Sequence, residues 1–375
     1  MNSRLIVFSF GDPGSINSEI LTKALSIFEE KPHNAIIIGS LKSFKKFYNK
    51  NKELDLIEYF SEIDNKNKIN TLSLLSNYRK KSFKIFIEKI SYEILNILKN
   101  DFQDYSKKDR KSKIIFFDPF PKLDFSIGNI DIKNGFLAFL YLEISLRLIE
   151  LLNFEASLIT LPVNKKSISL FNKNFIGHTD YLIERFNIKN ARMLMHSREI
   201  SVLMETNHIP ILRLKKNLRK EHFYNTLNIA EEAIKILKLQ PYIYILGLNP
   251  HKSDNSLIGI DEDKWIIPTI KKYESLKINN KEKINIEGPL SSDSVFIEKS
   301  LNNRKHGLYI AWYHDQGLIP YKIISKNKGA NITVGLPFIR ISPDHGTGFD
   351  IVNQDKADPS SLIFCINTIL SMEEK

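Results

Sequence analysis

The sequence predicts an α/β protein of two domains, and three observations carry that expectation. Short apolar runs of strand length end in turns containing glycine or proline, as Leu5 to Phe10 does at Gly11-Asp12-Pro13-Gly14. Segments with helical apolar periodicity alternate with these runs, the arrangement of parallel βαβ units. At 375 residues the chain also exceeds the usual size of one domain.

Hydrophobic residues make up 42% of the chain and charged residues 26%, the composition of a folded rather than a disordered protein. A net charge of +11 raises the question of nucleic acid. The lysines are scattered among asparagines and apolar residues through Lys42 to Lys52, Lys66 to Lys68 and Lys107 to Lys113, with no basic stripe, so no nucleic-acid partner is expected. Cys365 is the single cysteine, which excludes an internal disulfide and a cysteine zinc cluster and suits a reducing interior. The apolar segment Leu5 to Phe10 is shorter than the ~7–15 residues of a secretory core, and no run approaches the ~18–20 of a membrane span. A cytoplasmic protein without membrane attachment is expected.

Along the chain, Leu5 to Phe10 reads as a strand, Glu19 to Phe28 as a helix and Ala35 to Ile38 as a second strand closed by Gly39. This βαβ start lacks GxGxxG and so carries no Rossmann dinucleotide fingerprint. Between Ile69 and Phe102 the residues Leu72, Leu75, Phe83, Ile87, Ile90, Ile94 and Ile97 recur at helical spacings among lysines. One or two amphipathic helices packed on their own domain, rather than on a membrane, are expected there. Ile114 to Phe117 is a strand, Asn134 to Leu152 a helix, and Ala156 to Leu161 a strand that ends at Pro162. Lys165 and Lys166, just beyond it, read as ordinary surface lysines.

Gly177-His178-Thr179-Asp180 opens a helical segment near Tyr181, and both an anion site and a simple cap fit that position. Glu221 to Leu237 is an amphipathic helix, and Pro241 to Leu246 a buried strand running into Gly247-Leu248-Asn249-Pro250-His251. Lys252 to Lys283 reads as irregular apart from a short helix near Asp263 to Tyr273, and Gly288 to Asp293 as a turn. Leu308 to Trp312 is a strand that delivers Tyr313 and His314.

From Tyr313 to Thr347, histidines, aspartates, an arginine, lysines and asparagines are interleaved with glycines and apolar residues, the mixture that suits a small anionic ligand. His208, His251 and His314 each follow a strand-like run, so one sheet edge could present all three. Three imidazoles make a good divalent-metal site with positions left open for substrate. Each histidine taken singly also fits a structural role, and spacing leaves the choice open.

Taken together, GHTD at His178, TNHIP at His208, GLNPH at His251, GPLSSD at Asp293, YHDQGLIPYK, NITVGLPFIR and DHGT resemble the 4-hydroxythreonine-4-phosphate dehydrogenase family of vitamin B6 synthesis. The resemblance runs with gaps from Leu5 to about Leu362. It implies two α/β/α domains flanking an active-site cleft, related to isocitrate and isopropylmalate dehydrogenases, a fold that binds its nicotinamide cofactor without GxGxxG. It further implies a homodimer whose metal site takes histidines from both subunits. The expected boundaries are residues 1–160 plus 335–375 for the first domain, with a helical insertion at about 65–113, and 161–334 for the second.

By the same resemblance, His208, His251 and His314 are metal ligands, and His178, Thr179, Lys322, Asn331 and Arg340 bind substrate. Asp293, Asp315 and Lys322 are the catalytic candidates, the two aspartates as proton-handling groups or supports for the ligands. The cofactors implied are NAD, with NADP as the other choice, and zinc, magnesium, cobalt or manganese, while the cofactor-binding residues stay unassigned. The implied reaction oxidises 4-phosphooxy-L-threonine; a dehydrogenase of threonate or erythronate 4-phosphate and a non-catalytic metabolite-binding homologue are the alternatives. Departures are local. The family's GDPAGIGPE is Gly11-Asp12-Pro13-Gly14-Ser15-Ile16-Asn17-Ser18-Glu19 here, its glycine-rich acidic loop after NPH is Lys252-Ser253-Asp254-Asn255-Ser256, and its Thr-Gly-Pro is Thr160-Leu161-Pro162.

Overall fold

In a computed structural model the structure describes residues 5–48, 55–60, 81–102, 112–277, 284–297 and 304–373. The chain divides into two compact units, Met1–Leu182 with Pro337–Ile369, and Ile183–Leu336 with Leu370–Lys375. The expected helix around Ile69 to Leu75 lies outside the described residues.

In the first unit the strands are β1 (Ile6–Ser9), β2 (Ala35–Ile38), β3 (Asp55–Phe60), β4 (Lys113–Asp118), β5 (Ser157–Thr160) and, late in the chain, β12 (Arg340–Pro343). They lie in the order β3-β4-β2-β1-β5-β12, all parallel. Parallel strands need helical crossovers and are covered on both faces, which is why β1 and β2 are apolar without alternation and fully buried. The helices that matter here are α1 (Asn17–Ala24), α2 (Lys81–Phe102), α3 (Ile132–Leu151) and α4 (His178–Arg185).

Helix α3 is the core helix, with Phe136, Leu137, Leu140, Tyr141, Ile144 and Leu148 among its buried residues. Asp131 caps it, its carboxylate accepting from Lys133 N at 2.6 Å and Asn134 N at 3.3 Å. Helix α2 buries Phe83, Ile87, Ile90 and Ile94 and packs on α3, with the Phe83 and Phe136 rings 6.4 Å apart and Arg147 bonded to Glu88 at 2.5 Å. The amphipathic helix read from Phe83 onward thus covers its own unit. No helix among the described residues is long and apolar enough to cross a membrane.

The second unit holds β6 (Arg192–His196), β7 (Ser201–Met204), β8 (Tyr242–Leu246), β9 (Asn285–Leu290), β10 (Leu308–Ala311) and β11 (Ala330–Val334), in the order β11-β6-β7-β10-β8-β9. Strand β6 is antiparallel to both β11 and β7, whereas β7, β10, β8 and β9 run parallel. Helices α5 (Lys220–Leu237), α6 (Ile267–Lys277) and α7 (His314–Ser325) belong to this unit. Gly288 and Pro289, expected in a turn, instead lie inside β9, which ends the strand order and has a register irregularity between Tyr244 and Leu246. At such an edge the missing proline N–H removes no ladder bond, so a turn-like dipeptide sits in a strand.

The altered first turn closes around Asn17. Its amide nitrogen contacts three carbonyl oxygens, Phe10 at 2.9 Å, Asp12 at 3.2 Å and Pro162 at 2.8 Å, tying the end of β1 to the segment after β5. Gly11 accepts a left-handed φ of 68°, and a Cβ there would stand 2.4 Å from the Pro162 oxygen. Asn17→Ala is therefore expected to lower stability by roughly 1–3 kcal/mol, because buried carbonyls lose their donor. A shift of the urea midpoint at unchanged slope is the measurement that checks it.

Candidate active site

Three of the parallel strands of the second unit, β7, β10 and β8, are adjacent, so their carboxyl ends share one edge. His208 follows β7, His314 follows β10 and His251 follows β8, and the loops that carry them are tied together. Trp312, fully buried, donates from Nε1 to the Leu246 carbonyl at 2.6 Å, and its own carbonyl accepts from Thr206 Oγ1 at 2.7 Å. Gln316 accepts from Trp312 N at 2.7 Å and donates to Gly247 O at 2.7 Å and Ser292 Oγ at 2.9 Å. Buried side chains thus set the starting points of all three loops.

Beyond these anchors, the imidazoles of His208 and His314 stand together, ring centroids 5.6 Å apart. His314 Nδ1 is 2.7 Å from Asp315 Oδ1, and His251 Nδ1 is 3.4 Å from Asp293 Oδ2. A carboxylate at Nδ1 holds the proton there and leaves the Nε2 lone pair as the donor atom, the usual support for a metal-ligating histidine. The Ser291 hydroxyl, bonded at 2.6 Å, holds the Asp293 carboxyl below its ordinary range, with His251 adding to the effect. Among the described residues, no group of three or more His, Cys, Asp or Glu within the chain could hold a metal ion. The donor chemistry suits a divalent cation, and one chain supplies a two-imidazole pair toward it.

His251 sits on an unusual backbone. Residues His251, Lys252, Ser253, Asp254, Asn255 and Ser256 all have positive φ, from 44° to 71°, and none is glycine. Glu262, buried, accepts from Asn249 N at 2.7 Å, from Asn249 Nδ2 at 2.8 Å and from Ser253 Oγ. Burial alone would raise the Glu262 pKa; the Ser253 and Asn249 bonds outweigh it and lower the pKa. The expected short helix is displaced to Ile267–Lys277 and preceded by a five-residue π turn, Glu262–Ile266, which carries this carboxylate. Glu262 had no sequence signal, and the left-handed run had only a weak one, since His251, Asp254 and Asn255 are residue types that visit this region singly and not as a run of six.

Lys322 and Asn331 lie on α7 and β11 of the second unit, both partly exposed, with Lys322 Nζ 3.5 Å from Asn327 Oδ1. The remaining substrate candidates lie in the first unit. Arg340, fully buried at the start of β12, donates from Nη2 and Nε to Thr160 Oγ1 at 2.6 Å and 3.2 Å, and burial lowers its pKa to about 10. His178 begins α4, three residues ahead of the expected start, with Thr179 buried beside it. Burial pushes the His178 pKa well down, and the positive charges of Arg340 and Lys165 push it further. Its Nε2 is buried without a hydrogen-bond partner. Lys165, read from sequence as an ordinary surface residue, reaches over Gly177, where a Cβ would stand 3.3 Å from its Nζ. Arg340 and Lys165 place positive charge beside the neutral His178 ring and its unsatisfied Nε2, a setting for an anion. His345 bonds the Gly346 carbonyl at 3.0 Å.

Comparison with known proteins identifies the family. The family model described as "Pyridoxal phosphate biosynthetic protein PdxA" matches residues 60–369. A 4-hydroxythreonine-4-phosphate dehydrogenase of Sulfurihydrogenibium sp. is 33% identical over 98% of this chain and 98% of its own length. A putative D-threonate 4-phosphate dehydrogenase of Oceanobacillus iheyensis is 32% identical over 66% of this chain and 73% of its own. The crystal structure of a 4-hydroxythreonine-4-phosphate dehydrogenase from Klebsiella pneumoniae shares the fold, with a TM-score of 0.71 at 22% identity, covering 99% of this chain and 100% of that one. The chain belongs to the PdxA family of pyridoxal phosphate biosynthetic proteins and is an oxidoreductase.

Proposed function

We propose that the protein oxidises 4-phosphooxy-L-threonine at its secondary alcohol with NAD or NADP. The product, 2-amino-3-oxo-4-phosphooxybutanoate, is a β-keto acid that loses carbon dioxide to give 3-amino-2-oxopropyl phosphate, a step of vitamin B6 synthesis. What supports this most is the edge at which β7, β10 and β8 present His208, His314 and His251, in a chain 33% identical to a dehydrogenase of that name over nearly its whole length.

His208, His251 and His314 would hold the divalent metal, whether zinc, magnesium, cobalt or manganese. When bound, the metal supplies Lewis-acid polarisation of the alcohol and of the carbonyl formed from it, and the nicotinamide supplies the hydride acceptor. Asp315, bonded to His314 Nδ1, would hold its proton there and so present Nε2 as the donor, and Asp293, 3.4 Å from His251 Nδ1, favours the same tautomer electrostatically. Arg340, Lys165, His178 and Thr179 of the first unit and Lys322 and Asn331 of the second supply the contacts for the anionic substrate, and the Lys322 amine would take the hydroxyl proton in its neutral form. Contacts to anionic groups remote from the reacting carbon supply binding energy that serves orientation.

One chain gathers two of the three imidazoles, so the site is completed in a homodimer by the partner subunit. Exposed apolar residues close in sequence to the histidines support that surface: Leu212 at 94%, Leu257 at 82% and Ile323 at 71% exposure. The second reading, oxidation of D-threonate 4-phosphate, is favoured by the Oceanobacillus relative and would need no amine recognition.

Side-by-side assays of NADH formation from 4-phosphooxy-L-threonine and D-threonate 4-phosphate decide between the readings; activity on neither, in metal-replete protein, leaves the non-catalytic homologue. His314→Ala is expected to lose bound metal and to lower NADH formation by ~100-fold or more, and retention of both would remove the metal assignment. Arg340→Lys keeps the charge but loses the planar fork, so KM for the phosphorylated substrate should rise ~10-fold with kcat changed less. Steady-state kinetics of the folded variant check it.

A further inference from the structure

We propose that Glu262 is a positioning residue: its buried carboxylate closes the turn from Asn249 to Ser253 and thereby fixes the left-handed backbone on which His251 stands. The proposal rests on His251 being a metal ligand, as argued above. Two donors of Asn249, just before His251, and the Ser253 hydroxyl, two residues after it, converge on this carboxylate. His251 is thereby held inside a short loop pinned at both ends. Left-handed angles clash Cβ with the carbonyl oxygen, and such residues persist where their surroundings over-determine them. At His251 φ is 47° and ψ 32°, and at Lys252 φ is 51° and ψ 45°.

The rest of the turn agrees with this role. Asn249 Nδ2 also reaches Asp261 Oδ2 at 3.2 Å, and Ile258 N donates to Ser253 O at 3.1 Å. Gly259 packs on the Asn249 side chain so closely that a Cβ would stand 2.6 Å from Nδ2. A carboxylate has acceptors enough for all three donors, whereas the amide nitrogen of glutamine accepts none. The carboxylate therefore decides where the His251 imidazole lies.

The test uses the full chain with Glu262→Gln, Ser253→Ala, His251→Ala and the double variant Glu262→Gln with Lys252→Gly. Amide hydrogen exchange across residues 249–258 of the metal-free protein should rise in Glu262→Gln, and unchanged exchange would overturn the proposal. Co2+ titration followed by visible absorption should show affinity about 10-fold weaker and an altered band in Glu262→Gln. Glycine at position 252 removes a Cβ from the left-handed run, so the double variant should recover part of that loss; affinity equal to wild type in the single variant, or no recovery in the double, contradicts the role. If Glu262→Gln fails to fold, Ser253→Ala removes one donor of three and should raise exchange and weaken Co2+ binding by a few-fold, and no change in either would refute the idea. A wild type that takes up no Co2+, or His251→Ala binding it equally, sinks the metal reading instead, while exchange still decides what Glu262 does.

Discussion

Trp312 holds the second unit's functional edge together. It directly follows β10, sits fully buried, donates to the carbonyl of Leu246 at the end of β8, and accepts from Thr206 in the loop after β7. Parallel neighbours must all finish at the same edge, so the fold alone brings three strand ends close. The indole and the Gln316 amide then fix the loops that leave those ends, and on those loops stand His208, His251 and His314. The imidazoles are exposed or half-buried while Trp312 and Thr206, which anchor their loops, are buried, which is how a reactive group is kept accessible on a rigid base.

The first unit solves a different problem. Arg340 and His178 are buried where charge is disfavoured, and the His178 ring is held neutral with the positive charges of Arg340 and Lys165 beside it. Such a cluster is unfavourable by itself, and an anion would relieve both the repulsion and the unsatisfied Nε2. Thr160 shares its hydroxyl with Arg340 at the end of β5, and Asn17 pins the Pro162 carbonyl two residues on, so the altered first turn supports the segment that carries this site. Asparagine in place of glycine there adds bonds rather than removing structure.

Much of this was legible in the sequence because strand ends announce themselves. Apolar runs followed by a proline or glycine and a histidine place His208, His251 and His314 without coordinates, and buried parallel strands lack alternation for the same reason that makes them easy to find. Lys165 is exposed, as its surface reading expects, but its place over Gly177 and beside His178 was not legible, since it depends on the fold. Gly288-Pro289 misled because an edge strand tolerates the residues that mark turns. Glu262 was invisible for a sharper reason. It acts on a run of left-handed residues that Asp254 and Asn255 alone do not predict, through hydrogen bonds to Asn249 and Ser253 in the preceding loop.

The central claim is that the edge formed by β7, β10 and β8 holds a divalent metal against a phosphorylated substrate. Anomalous diffraction from crystals grown with Co2+ and 4-phosphooxy-L-threonine tests it most directly. The account predicts a single strong peak at His208 and His314 with a third imidazole from His251 and the substrate's alcohol oxygen beside it. A peak bound elsewhere, or substrate density at that edge with no metal in protein shown to be active, would contradict it.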